Sequence, residues 1–223
     1  MKQLLGVCVL SLALMSFQPP KKKKIIFFGD SITEMAVKYE GYLVKLDSMI
    51  AAQGMKEQYE LVGSGISANK VYDLYLRLET DVLEKKPDVV VIYIGVNDIW
   101  HKKLAGTGTD FWKFTKFYEA LIAKMQAANI QVVVCTPAVI GERTDFSNEM
   151  DGDLNYYSNW IRYYAAQKNL PLADIRKAFL EYNLIYNKQN LEQGILTSDK
   201  VHLNPEGARV VAATMWTAIR QLK

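Results

Sequence analysis

The chain has 223 residues, half of them hydrophobic and 23% charged, a balance that excludes a disordered or fibrous protein and suits one α/β domain with a full core. Its 27 Lys and Arg against 24 Asp and Glu leave a formal charge of +3, and four of the cations sit together at Lys21 to Lys24 rather than striping a helix. Nothing in this pattern speaks for a nucleic-acid partner.

The N-terminus, "MKQLLGVCVLSLALMSFQPPKKKK", opens with Lys2 and an apolar run at 4–17, too short to span a bilayer comfortably and of the right length for a signal-peptide core. It predicts a signal peptide or N-terminal apolar segment at 1–20, a folded domain at 21–223, and a secreted, periplasmic or cell-envelope protein. No clean A-x-A site precedes Gln18, and Lys21 to Lys24 follow at once, which leaves a signal-anchored orientation open. Cys8 has little apolar sequence before it, a poor position for a lipid-modified cysteine. Without Cys8, Cys135 in "IQVVVC" has no partner within the chain and is expected to pack as a small hydrophobe.

Beyond this segment, apolar runs of strand length alternate with longer stretches of helical period. Strands are predicted at 25–28, 59–62, 89–94, 130–135 and 170–173, and helices at 42–53, 69–84, 111–128, 154–168 and 205–222. The strand runs are continuous rather than alternating, as in strands covered on both faces. The last helix has Asn204 to cap it, Pro205 at its first position and Glu206 in its first turn. The β-α order predicts a parallel sheet with helices on both sides, without repeats or a second domain.

In such sheets ligands bind beyond the carboxyl ends of the strands. Four short segments fall there: Gly29-Asp30-Ser31 after the first strand, "GSGISAN" from Gly63 after the second, "GVND" from Gly95 to Asp98 after the third, and "SDKVHLNPEG" before the last helix. The chemistry they share is nucleophilic acyl transfer. A serine hydroxyl needs a base to take its proton, and the base needs a carboxylate to fix its tautomer. Asp199 and His202, three apart, suit that pair, with Ser31 as nucleophile. His101, which also lies near the strand ends, is the rival base. The N–H of Ser31, the N–H of Gly65 and the amide of Asn97 are the candidate donors to an oxyanion.

Bland readings exist for several of these residues. Ser31 and Glu34 form an S-x-x-E capping box, so Ser31 also reads as a plain helix start. Asp30 is expected to cap its own turn, and Asp98 to hold its loop by Asx-type bonds. "GSGISA" fits the dinucleotide fingerprint G-x-G-x-x-G/A, but the acidic residue that fingerprint requires at the end of the next strand is absent, since Asp88 stands at its start. Most of the 13 Tyr and 4 Trp are expected in the core. Trp100 and Trp112 flank the loop after the third block, and with His101 and Arg143 they are candidates for binding substrate. The long polar stretch "TPAVIGERTDFSNEMDGD" after the fourth strand reads as a binding loop.

Gly-Asp-Ser near the start, a glycine after strand two, Gly-x-Asn-Asp after strand three and Asp-x-x-His near the end, in this order from about residue 25, resemble the four signature blocks of the SGNH (GDSL-type) hydrolase superfamily. The four letters map onto Ser31, Gly65, Asn97 and His202. In the second block Ala68 stands where many members carry glycine, which leaves Gly63 as an alternative to Gly65. The resemblance implies a three-layer αβα sandwich of flavodoxin-like type, with a central parallel sheet of about five strands, and serine esterase chemistry without metal or other cofactor.

The function this predicts is a serine esterase acting on short acyl esters, acetyl above all, of a carbohydrate. No long apolar lid for a lipid tail is visible, and family members of this length often act on small acyl groups. A lysophospholipase or thioesterase of the same family is the alternative enzyme. A catalytically silent carbohydrate-binding protein on the same fold is the alternative of another class.

Overall fold

The computed structural model describes residues 21–222; the apolar run at 4–17, Cys8 and the expected signal peptide lie outside the described residues. Five strands, β1 (Lys23–Gly29), β2 (Tyr59–Gly65), β3 (Val89–Tyr93), β4 (Gln131–Cys135) and β5 (Leu172–Ala173), form one all-parallel sheet in the order β2-β1-β3-β4-β5. That is the doubly wound order in which the chain reverses direction across the sheet between β1 and β3, leaving a crevice at their carboxyl ends. Ile25 to Phe28 and Val89 to Ile92 are fully buried, which is why these strands read as unbroken apolar runs.

Among the described residues, eight α-helices complete the layers: α1 (Ser31–Met35), α2 (Tyr42–Ala52), α3 (Val71–Leu76), α4 (Val96–Ala105), α5 (Phe111–Ala127), α6 (Asp151–Lys168), α7 (Ile175–Tyr186) and α8 (Pro205–Ile219). On one side α2 and α7 pack on α8, and on the other α3 packs on α5 and α4 on α6. The three-layer sandwich expected from the sequence is present. Asn204 caps α8 as predicted, its Oδ1 accepting from the N–H groups of Glu206 and Gly207.

Some local expectations give way. The helix expected at 69–84 is interrupted: α3 ends at Leu76, Arg77 leaves helical geometry, and a single π-helical turn follows at Glu79–Leu83. The break lets the Arg77 side chain reach the ends of β1 and β2. Two helices, α4 and α7, were not expected. α4 hides behind a strand that ends directly on it, the turn being made by Gly95 at φ +124°, a conformation that side chains disfavour. α7 exposes Leu184, Ile185 and Tyr186 while burying Ile175, Phe179 and Asn183, which blurs its apolar stripe. The loop after β4 is not polar throughout, for residues 136–142 run through the interior and only the part from Arg143 onward reaches solvent.

Candidate active site

Ser31 is the first residue of α1, directly beyond the carboxyl end of β1. The expected capping box does not form. Asp30 is the cap, its Oδ1 accepting from the N–H of Ile32 at 3.0 Å, and Glu34 turns outward to accept from the backbone and hydroxyl of Ser67. The Ser31 hydroxyl is therefore not spent on the helix. It lies 3.0 Å from His202 Nε2, and His202 Nδ1 lies 2.7 Å from Asp199 Oδ2. Ser31 and, 171 positions on, the His202–Asp199 pair thus form one hydrogen-bonded line.

The His–Asp pair owes its geometry to the segment that carries it. Asp199 Oδ1 accepts from the N–H groups of Val201 and His202, and the N–H of Ser198 donates to the His202 carbonyl, closing a tight turn with Lys200 at φ +79°. Against the upward push of partial burial, these bonds from the His202 ring and backbone hold the Asp199 carboxyl below its ordinary value. The turn in turn rests on Glu142, a carboxylate 1% exposed. It accepts from the N–H groups of Ile195, Leu196 and Thr197 and from the Thr197 hydroxyl. Sequence reasoning missed Glu142; the one available sign was an acidic residue closing the apolar run "TPAVIGE".

The candidate oxyanion donors gather on the same rim. The register of the β1–β2 ladder pairs Gly29 with Gly65, and the N–H of Ile66 donates to the Gly29 carbonyl, so Gly65 points its own N–H away from β1. A Cβ on Gly65 would lie 2.0 Å from Glu34 N and 2.6 Å from the Asp30 carbonyl, so only glycine lets β2 come this close to the start of α1. Gly63 would instead meet the side chains of Val37 and Leu43, away from that turn. Asn97 is buried in the first turn of α4, one of its amide hydrogens donated to the Asn69 carbonyl at 3.2 Å. Ala68, where the sequence departs from the family pattern, takes up φ +63°, a left-handed conformation in which glycine is favoured.

Two acids lie beneath this rim. Burial pushes the Asp30 carboxyl up to about 7, aided by the charge of Asp98. Burial likewise pushes Asp98 up to about 6 against its hydrogen bonds. Asp98 reaches beyond its own loop, both oxygens accepting from the N–H of Val71 at the start of α3. The capping role expected of Asp30 is observed.

Of the remaining candidates, Trp100 and His101 are neighbours on α4 with ring centres 5.8 Å apart, while Trp112 and Arg143 stand on other segments. Trp100, on α4 one turn beyond Asn97, lines a cleft of ≈ 470 Å³ with Lys103, Ile140, Asn148, Met150 and Lys200. His101 follows it on α4, and burial together with the charge of Lys70 holds its imidazole below the ordinary value. Trp112 is 72% exposed at the start of α5, its ring against Phe111. Arg143 pairs with Glu192 at 3.8 Å and borders a smaller cavity with Phe146 and Leu184. Another cavity, ≈ 270 Å³, adjoins the opposite neighbours of the Ser31–His202 pair, lined by Ile32, Met35, Tyr39, Ser198 and Leu203. Among the described residues, no group of three or more His, Cys, Asp or Glu side chains is placed to hold a metal ion.

Comparison with known proteins accords with this arrangement. Residues 27–210 match the model of the GDSL-like lipase/acylhydrolase family. The chain is 27% identical over 206 residues to an acetylxylan esterase of Geobacillus stearothermophilus, covering 85% of this chain and 90% of that one. Among solved structures it resembles an acetyl xylan esterase, AlAXEase, with 57% identity and a TM-score of 0.86, covering 88% of this chain and 99% of the other. An α/β hydrolase enzyme from the metagenome of Lake Arreo, Spain, is 26% identical with a TM-score of 0.78, over 90% of this chain and 96% of that one. The chain belongs to the GDSL-like lipase/acylhydrolase family, within the SGNH hydrolase superfamily, and is a carboxylic ester hydrolase.

Proposed function

We propose that the protein removes acetyl groups from an acetylated carbohydrate, with Ser31 as nucleophile, His202 as general base and acid, and Asp199 as the group that orients His202. The observation that carries this reading is the line from Ser31 Oγ through His202 to Asp199, 3.0 and 2.7 Å long, standing at the carboxyl ends of the strands. Ser31 Oγ attacks the ester carbonyl while His202 Nε2 takes its proton. The negative charge that develops on the carbonyl oxygen meets the N–H groups of Ser31 and Gly65 and the free amide hydrogen of Asn97. Collapse of the tetrahedral adduct returns the proton from His202 to the departing sugar oxygen and leaves acetyl-Ser31. Water, deprotonated by His202, then releases acetate and restores the serine.

The names of two relatives, both acetylxylan esterases, support a polysaccharide bearing acetyl esters as substrate. The open cleft beside Trp100 offers an aromatic face on which a sugar ring packs. The apolar run at 4–17 supports export, which would bring the enzyme to such a substrate.

The test is turnover of a chromogenic acetate, of acetylated xylo-oligosaccharides and of esters of rising acyl length, by the parent and by Ser31→Ala. We expect acetyl esters to be turned over fastest and Ser31→Ala to be inactive while unfolding at the parent's temperature, because Asp30 and not Ser31 caps α1. Preference for long acyl chains would overturn the substrate, and turnover by Ser31→Ala would overturn the mechanism.

A further inference from the structure

Arg77 stands where the interrupted α3 ends, its side chain 13% exposed and lying over the Phe28 ring, the guanidinium carbon 4.4 Å from the ring centre. Its five N–H bonds all have acceptors. Nη2 donates to the Gly29 carbonyl at 2.8 Å and the Ser64 carbonyl at 3.1 Å; Nε donates to Asn69 Oδ1 at 2.7 Å; Nη1 donates to Ser64 Oγ at 3.2 Å and Asp81 Oδ2 at 2.5 Å.

What these acceptors have in common is their place in the chain. Gly29 is two residues before Ser31 at the end of β1, Ser64 is the residue before Gly65 at the end of β2, and Asn69 receives the Asn97 amide on its carbonyl. One planar group therefore touches the segment that supplies each of the three candidate oxyanion donors, two by backbone carbonyls and the third through Asn69. We infer that Arg77 is a positioning residue for the oxyanion hole, fixing the spacing of the Ser31, Gly65 and Asn97 donors from beneath while touching no substrate itself. The inference rests on the reading of Ser31 as nucleophile.

The chemistry favours arginine for this task. A lysine offers three donors from one nitrogen on a flexible stem and cannot bond both strand ends, Asn69 and Asp81 in a single plane. Donors aimed at an oxyanion act only when the charge develops, so loss of their spacing lowers kcat and leaves ground-state binding nearly intact. A purely structural arginine would lower the unfolding temperature and leave kcat alone.

The experiment compares Arg77→Lys and Asn69→Ala with the parent on a chromogenic acetate, with unfolding temperature measured alongside and Ser31→Ala in the same assay. For Arg77→Lys we expect kcat to fall by about 10²-fold, the loss typical of one misplaced donor, with KM within about threefold. The acid limb of the pH–rate profile should stay where it is, since the Ser31–His202–Asp199 line is untouched. Binding of a boronic acid, which forms a tetrahedral adduct on the serine, should weaken by the same factor as kcat. Asn69→Ala, which leaves the carbonyl that Asn97 donates to, should lose less. A double variant of Arg77→Lys with Asn97→Ala should lose less than the product of the single losses. An Arg77→Lys enzyme with parental kcat and boronate affinity would overturn the inference, whatever its unfolding temperature. Turnover by Ser31→Ala would instead overturn the nucleophile assignment on which it stands.

Discussion

Replacing Glu142 by Gln tests whether a buried carboxylate far from the nucleophile governs the catalytic turn. In the parent, one oxygen accepts from the N–H groups of Leu196 and Thr197 and the Thr197 hydroxyl, and the other accepts from the Ile195 N–H. A glutamine keeps one oxygen for the first three donors but turns its NH₂ toward the Ile195 N–H, so that two donors face each other. Loss of a charge-assisted bond costs about 1.5–3 kcal/mol, and the unpaired buried N–H adds to it, giving about 2–4 kcal/mol in all. At about 2–4 °C per kcal/mol for a domain of this length, the unfolding temperature should fall by about 4–16 °C. Because the residues held by Glu142 lead directly into Ser198, Asp199 and His202, kcat on a chromogenic acetate should also fall at temperatures where the variant is fully folded. The measurement is calorimetric unfolding paired with steady-state kinetics at about 20 °C below the variant's midpoint, a margin wider than the whole expected shift. An unfolding temperature within about 1 °C of the parent, or an unchanged kcat, would refute the idea that this carboxylate builds the turn.

Two further outcomes concern Asp30 and Ala68. Asp30 keeps its proton up to about pH 7 in the fold and loses it at 3.8 when unfolded, so between these values the native state holds the extra proton and stability declines as pH rises, the loss being complete above about 7. At about 1.36 kcal/mol per pH unit that loss reaches about 4 kcal/mol at most, and Asp30→Asn, which still caps α1, should gain stability relative to the parent from pH 4 to pH 8 by an amount of that order; parallel denaturation curves across the range would contradict it. Ala68→Gly should relieve about 1–2 kcal/mol of left-handed strain at φ +63°, offset by about 0.5–1 kcal/mol of chain entropy, so a small rise in urea midpoint is expected and a fall would show that Ala68 is unstrained.

The sheet was legible because buried parallel strands must be continuous apolar runs, and Ile25 to Phe28 and Val89 to Ile92 are little else. The line of Ser31, Asp199 and His202 was legible for a different reason: its residue types and order carry chemistry that few other arrangements use. What could not be read were the groups whose partners are distant in sequence. Arg77 looks like one cation in a helix until the helix breaks and its side chain meets residues 48 positions away. Glu142 looks like a loop acid until residues 55 positions away fold over it. The capping box failed because S-x-x-E specifies a local pairing, whereas Glu34 finds Ser67 on another strand's exit. α4 escaped because it starts on Gly95 directly at the end of a strand, with no side-chain cap to announce it, and α7 because Leu184, Ile185 and Tyr186 carry its apolar residues round to solvent although Asp174 caps it.

Ser31 and His202 are separated by 171 positions: the proposed nucleophile opens α1 just beyond β1, and its proposed base precedes α8. During synthesis the proposed nucleophile leaves the ribosome well before its base exists, and the base emerges before α8. On that assignment the nascent protein gains activity toward esters only after His202 has emerged and α8 has docked beside α2. Appearance of esterase activity during translation would time the closing of the entire sandwich, without any label on the protein.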